Sequence, residues 1–486
     1  MNIKTIVSNR IIIYLASRYL TYALQFLTSI LIAAKLGPYY MGVWGFILLI
    51  LNYFQQINFG IGNSFNVLFV HNKGDKLKQE KIVYNALFLT LLLCVCATSI
   101  FFLYSRIERG GTLDKYSIET YVLWICAIAV LQYIQSFLIN LFRVLNKLLL
   151  VAISQSLVIL LQFIAVFISS GETLIYLLLF GYVLGLIVIV FLALANKSID
   201  VTKFILFDVA LQKSILKKGV WLFLYNTCFY FIVISIRTLV SSFYNVDEFG
   251  LFTFSFTLAN AFLLFLDSLS FVVFPKVLGK LSSPVSADVL RSINEYRTNY
   301  ITAAHVVIYC ALPLIPAILY FLPEYKGALQ ATQLTALGIL MYTNCSGFSE
   351  LLIAQNKERL SAIISSSALV LNILIAYVLI YIFHVPFSYS VFSIMVTYAV
   401  LSICVITCGN RVCNVSSPFI KAIKRIFTYK QAFPYLIAIL TCVFISDYGW
   451  LQTFPLILYI TFNRKTIIGL LKTASKLIDN PNSVNL

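Results

Sequence analysis

The chain has 486 residues, 61% of them apolar and only 11% charged, with a mean hydropathy of +0.93, whereas soluble domains run near 45–50% apolar and about 25% charged. That excludes a water-soluble enzyme. At about 20 residues per spanning helix the length is taken up by a dozen or more membrane passes, with almost nothing left for a soluble domain. The net charge of +17 raises nucleic acid as a partner, and the placement of the basic residues decides that question.

The first apolar run follows a short basic opening and continues to Ala34 with no small-residue cleavage site, so it reads as a retained span and not a signal peptide. Further apolar segments follow at 40–70, 82–104, 120–142, 148–170 and 172–195, then at 215–241, 248–275, 299–321, 327–352, 360–383 and 387–408. Two shorter ones lie at 433–447 and 449–463, either as two helices or as one re-entrant unit. None alternates with period two as barrel strands do. The expected fold class is therefore an all-α polytopic membrane protein of 12–14 helices. Six segments fall in an N-terminal lobe (1–197), followed by a linker (198–212) and a second six-helix lobe (213–410). A basic loop (411–431), the additional hydrophobic helices (432–465) and a tail (466–486) complete the chain.

With alternating spans, 28 of the 35 Lys and Arg fall on the side of the N-terminus, and five (Lys35, Arg106, Arg109, Lys115 and Lys326) on the other. The positive-inside rule then places both termini, the linker and the tail in the cytoplasm. The positive charge is thus topological, and Lys73, Lys76, Lys78 and Lys81 cluster where anionic headgroups of membrane lipids lie. No nucleic acid partner is expected. Nine of the ten cysteines sit in apolar runs and behave as small hydrophobes. His71, His305 and His384 are far apart in sequence, so no metal site and no cofactor is expected.

The chain also resembles itself. Setting Gly42 on Gly250, an offset of 208, also puts Trp44 on Phe252, Phe46 on Phe254 and Asn52 on Asn260. Two six-helix repeats in parallel orientation are implied, the arrangement from which rocking transporters with a central site are built.

Three spans carry polar stripes. Asn52, Gln56, Asn63 and Asn66 lie within about 40° of one direction on the second, at 100° per residue. Gln132, Ser136, Arg143 and Asn146 line the fourth, and Thr253, Thr257, Asn260 and Asp267 the eighth. Such stripes either knit helices together or line a water-filled lumen, and three of them favour the lumen. Four charges fall inside spans, at Arg18, Arg237, Asp267 and Glu350, each costing at least about 2.5–3.5 kcal/mol at the bilayer centre unless paired or hydrated. Arg18 and Glu350 lie near span ends and can snorkel. Arg237 and Asp267 allow two readings: a substrate contact with an ion-coupling carboxylate, or a structural ion pair. His305 with Tyr309, four residues on, either extends a proton path or is a helix contact. Pro313 and Pro316 mark a bend in the ninth span.

Ser17-Arg18-Tyr19, Gln25, the run Ala34-Lys35-Leu36-Gly37-Pro38-Tyr39-Tyr40-Met41-Gly42-Val43-Trp44 and Phe59-Gly60-Ile61-Gly62 resemble the N-terminal signature of Wzx-type polysaccharide flippases of the MOP exporter superfamily. Gly219-Val220-Trp221, Glu248-Phe249-Gly250 and Phe274-Pro275 are similar to that family's seventh and eighth helices. The resemblance implies two six-helix lobes related by a pseudo-two-fold around a cationic cavity, in the bacterial inner membrane. It also implies alternating access that turns an undecaprenyl-diphosphate-linked O-antigen unit to the periplasmic leaflet, coupled to H+ or Na+, with a polymerase or chain-length protein as candidate partner. Where many relatives have an acidic residue shortly before the glycine ending the second helix, this chain has Phe59.

The candidate substrate-binding residues are then Arg18, Arg237, Asn52, Gln56 and Asn260, and the candidate ion-coupling residues Asp267, Glu350 and His305, with no catalytic residue and no covalent chemistry. An O-antigen polymerase or ligase is the alternative enzyme reading, but such proteins carry a large outer loop with catalytic arginines. Here the longest outer loop, about Ser105–Glu119, is short and its charges cancel. A drug or cation antiporter of the same superfamily is a third reading, and it calls for an acidic cavity; two arginines against two carboxylates in the spans do not support a strongly anionic one and leave a mixed one open.

Overall fold

The computed structural model describes the backbone of residues 10–72, 74–108, 110–145, 147–196, 207–281 and 287–479, with the side chains of 10–16, 148, 218, 263–280, 287–288 and 473–479 left outside that description. The described residues form helices and connecting turns, with no strand among them.

The first helix, α1 (Arg10–Gln56), is two helices fused across a kink at Gly37, where φ is 68° and ψ 172°. Pro38 has no N–H and crowds the residue before it, and only glycine takes this φ freely. At 1.5 Å per residue the 47 residues of α1 reach about 70 Å, more than twice the hydrocarbon thickness. The kink therefore separates two crossings. A second break follows at Phe59 (φ 44°) and Gly60 (φ 73°), both left-handed, before α2 (Ile61–His71).

Next come α3 (Lys76–Ile107), α4 (Val122–Val144), α5 (Leu148–Val166) and α6 (Gly171–Ala195). They are followed by α7 (Val209–Phe243), α8 (Val246–Leu281), α9 (Ala287–Tyr320) and α10 (Leu329–Tyr342). The remainder is α11 (Phe348–Ala354), α12 (Glu358–Tyr377), α13 (Phe392–Val412), α14 (Pro418–Ile426), α15 (Tyr429–Phe444) and α16 (Phe454–Asp479). Among the described residues ten stretches are long and apolar enough to cross a membrane, with 17–71 counted as one, and twelve if the two bent pairs, at 323–354 and 418–444, are each one span.

The C-terminal segments and the ninth span are specified further by the structure. The final pair of apolar segments forms separate helices, α15 and α16, and α16 continues as helix to Asp479 through what reads as a tail. The basic loop at 411–431 contains α14, a nine-residue helix started by Pro418 at its first position. Pro313 and Pro316, expected to mark a bend in the ninth span, both lie inside α9.

The chain forms two compact units: Met1–Thr227 with Tyr244–Gly250, and Cys228–Phe243 with Leu251–Leu486. The first extends beyond residue 213, where the second lobe is expected to begin, because the start of α7 is tied to it. Asn85 Oδ1 accepts from the Asp208 N–H at 2.9 Å and from Gln212 Nε2 at 3.1 Å. A Cβ at Gly219 would stand 2.6 Å from the Gly60 carbonyl oxygen. The linker expected at 198–212 lies largely on residues 197–206, outside the described residues.

The duplication read from the sequence has a geometric counterpart. In the first unit Phe46 stacks on the buried Tyr116 with centroids 4.2 Å apart, and in the second Phe254 packs on the buried Tyr325 at 4.5 Å. Phe46 and Phe254 are the pair that the offset of 208 aligns. Within the first unit a Cβ on Gly42 would run into the Val246 carbonyl oxygen, and one on Gly250 into the Pro38 carbonyl oxygen. Val246 is Pro38 shifted by 208, so the contact is reciprocal. Lipid tails are as apolar as leucine, so membrane helices associate by close packing, and small residues that let backbones touch take the place of a hydrophobic drive.

Candidate functional site

The break between α1 and α2 opens a polar cavity of about 440 Å³ inside the first unit. Left-handed Phe59 and Gly60 interrupt the helix, the Asn58 side chain accepts from the Gly60 N–H at 2.9 Å, and Tyr133 Oη donates to the Ile57 carbonyl at 2.9 Å. This fixes Gln55, Gln56 and Asn58 at the cavity wall, with Gly62 and Asn63 from the start of α2 beside them. The opposite wall is one face of α4, where Gln132, Gln135, Ser136, Ile139, Asn140 and Arg143 recur at helical spacing.

Part of this polarity is already engaged. Gln132 Nε2 donates to Tyr182 Oη at 3.0 Å, Gln135 Nε2 to the Ser154 carbonyl at 2.6 Å, and Asn66 Nδ2 to Asn140 Oδ1 at 2.9 Å. The Gln132 Oε1 atom is buried with no hydrogen-bond partner, a state that normally calls for a ligand or water. Among the described residues the lining holds several amides and the Arg143 guanidinium but no carboxylate. Neutral donors and acceptors with a single cation suit a hydroxyl-rich or phosphate-bearing ligand.

The two polar stripes of the second and fourth spans therefore meet. Gln56 and Asn63 face Gln132, Ser136 and Arg143 across one cavity, while Asn146 lies outside the described residues. Gln135, Asn140, Gln55 and Asn58 also line it and were not singled out from the sequence. The spacing 132, 135, 136, 139, 140, 143 on α4 was the signal that could have found the first two.

The other candidate residues are not among those lining this cavity. Arg18 on α1 donates from Nε to Tyr22 Oη at 2.6 Å, with its guanidinium over the same ring at 5.4 Å. Asn52 is half-buried on α1 and does not line the cavity. The rest belong to the second unit. Arg237 is half-buried on α7 near Tyr230, and Asn260 is exposed on α8. The Asp267 side chain lies outside the described residues, and with it the pairing with Arg237. Glu350 accepts from the Gly347 N–H at 2.5 Å and from Ser349 Oγ at 2.8 Å. His305 is buried, with Nδ1 3.1 Å from Tyr309 Oη and its ring stacked on Tyr459 at 4.7 Å.

An ion pair joins Arg106 and Glu119 at 3.2 Å on the surface, away from the cavity. Among the described residues no cluster of His, Cys, Asp or Glu could hold a metal.

Residues 7–279 match the family model described as polysaccharide biosynthesis protein. No curated protein matches the sequence. Among solved structures the chain is similar to the lipid II flippase MurJ in an inward closed conformation, with a TM-score of 0.70 at 15% identity over 95% of this chain and 100% of that one. It is also similar to an inward-facing multidrug resistance MATE family transporter of the MOP superfamily, with a TM-score of 0.57 at 14% identity over 85% and 95%. A MOP superfamily transporter from Pyrococcus furiosus follows at 0.52 and 15% identity over 82% and 94%. At these identities the likeness is one of fold, and that fold is the MOP transporter bundle.

Proposed function

We propose, since the chain belongs to the polysaccharide biosynthesis protein family, that it is a flippase for lipid-linked polysaccharide repeat units. The observation that carries this reading is the cavity of the first unit, an amide-rich lining with one guanidinium and no carboxylate. Amides pair with sugar hydroxyls through both a donor and an acceptor, and a guanidinium grips a phosphate or an acidic sugar through its fork of N–H groups. The cargo is an undecaprenyl-diphosphate-linked O-antigen unit or a closely related glycan, moved by alternating access from the cytoplasmic to the periplasmic leaflet of the bacterial inner membrane. Both termini are cytoplasmic, an H+ or Na+ gradient drives the cycle, and a polymerase receives the product. A drug or cation antiporter needs an acidic cavity to compensate its cargo, and this lining has none.

The test is a strain that lacks the gene. It should accumulate complete lipid-linked units in the cytoplasmic leaflet and lose surface polysaccharide, and the wild-type chain should restore both. The double variant Gln56→Ala with Gln132→Ala removes about 1 kcal/mol of net hydrogen bonding per amide and should lower the export rate roughly thirtyfold at normal protein level. Arg143→Gln should do at least as much. If units reach the outer face without the protein and are merely left unpolymerised, the flippase reading fails and the polymerase replaces it.

A further inference from the structure

We propose that the second unit carries a binding site for the phosphoryl headgroup of an anionic membrane lipid, between the start of α9 and the helix α14. A pocket of about 330 Å³ lies there, lined by four cations, Arg297, Lys421, Lys424 and Arg425, together with the hydroxyls of Thr298 and Thr428. Among the described residues no carboxylate lines it.

The two arginines are built into the fold. Arg297 is only 6% exposed, and its Nε donates to the Asn344 carbonyl at 2.9 Å while Nη2 donates to the Arg425 carbonyl at 3.2 Å. Arg425 Nη1 donates to Asn410 Oδ1 at 2.6 Å, and its guanidinium covers the Phe348 ring at 5.1 Å. Asn410 in turn donates to the Pro418 carbonyl at 3.0 Å, which fixes the start of α14. All these acceptors are neutral, so they orient the guanidiniums without cancelling their charge. Bringing like charges together out of water is costly unless an anion answers them, and guanidinium forks with nearby ammonium groups match the geometry of a phosphate.

The helix itself says where the anion comes from. Ala422 and Ile426 of α14 are buried against the protein, while Phe419 and Ile420 are each 55% exposed and Phe427, just past its end, is 47% exposed. Lys421 and Lys424 are exposed between them, and Lys421 Nζ also reaches Ser416 Oγ at 3.0 Å. A short helix that shows aromatic and aliphatic side chains beside lysines lies in a membrane interface, its apolar residues among acyl chains and its lysines at headgroup level. A soluble phosphate would account for the cations and leave the apolar side chains unexplained; a lipid accounts for both. Arg297 and Arg425 hold the phosphoryl oxygens, and the lysines close over them.

The experiment uses the full chain in detergent, titrated with phosphatidylglycerol, phosphatidylcholine or inorganic diphosphate and read by native mass spectrometry with thermal unfolding alongside. Phosphatidylglycerol should bind and persist where phosphatidylcholine is stripped. The surface variant Lys421→Gln with Lys424→Gln should weaken phosphatidylglycerol binding roughly tenfold to thirtyfold with an unchanged Tm. Arg297→Gln should abolish the bound lipid, and because a buried arginine can also affect folding, the lysine pair is the deciding variant. Equal binding by the wild type and the lysine variant would overturn the site. Binding of diphosphate with no preference between the two lipids would assign the pocket to free phosphate and overturn the lipid. Neither result touches the cavity of the first unit, whose test uses other residues and another readout.

Discussion

Glu350 occupies the third position of α11, and its carboxylate accepts from the Gly347 N–H at the start of that helix and from the neighbouring Ser349 hydroxyl. That is the reach-back bond of a helix cap, and it gives a span carboxylate a structural occupation. Glutamine retains an acceptor at the same place, so Glu350→Gln should keep both Tm and export, whereas Glu350→Ala should cost about 1 kcal/mol and lower Tm by about a degree or two in a chain of this size. Differential scanning fluorimetry paired with an export assay separates the two. Loss of export in Glu350→Gln at unchanged Tm would restore the carboxylate to ion coupling. At this scale the sequence was readable where polarity repeats along a helix, as for Gln56, Gln132, Ser136 and Arg143. It was silent where tertiary contact defines the group. Arg297 and Arg425 count as two more basic-side residues in a tally of charge, and only the fold turns one toward the other's carbonyl.

The boundary between the first two spans and the repeat at an offset of 208 were legible because each rests on residues with a strong local effect, a Gly-Pro pair and glycines where backbones touch. Helix α14 was not, since nine residues are too few to establish a period and its charges read as loop. The reciprocal glycine contact makes a prediction of its own. A Cβ on Gly250 would run into the Pro38 carbonyl oxygen and stand 2.9 Å from the Gly42 nitrogen, and no rotamer change relieves a clash with backbone. Gly250→Ala must push α8 away from α1, a cost on the order of 1–3 kcal/mol for overpacking, and should lower Tm and yield. Gly469→Ala is the control: a Cβ there meets nothing within 4 Å, and it should leave Tm unchanged. Equal Tm values for the two variants would mean that the glycines tolerate separation and that the contact does not hold the helices.

For the molecule as a whole, helix order and the face of the bilayer that each loop occupies have different physical origins. The order of helices came from apolar segments alone, because a bilayer forces every spanning segment to satisfy its own backbone. Orientation rests instead on the excess of Lys and Arg on one side. The two bent pairs, at 323–354 and 418–444, are where the alternation can fail, because a pair that returns to its own side reverses every later loop. A reporter inserted after Gly110 tests the first half. That glycine is exposed, it sits in the connection between α3 and α4, and no atom lies within 4 Å of a Cβ placed on it. A second reporter fused after Leu486 tests the rest. With the N-terminus on the cytoplasmic side, as proposed, and every pair crossing, the insertion is periplasmic and the fusion cytoplasmic, so an alkaline phosphatase reporter is active only at the first and a fluorescent protein that matures only in the cytoplasm only at the second. A periplasmic C-terminus would mean that one bent pair is re-entrant. If that pair were the one containing α14, the basic pocket would still face the side of the N-terminus and the fault would lie in α15, so a third reporter at Asn414, before α14, identifies which pair turns back.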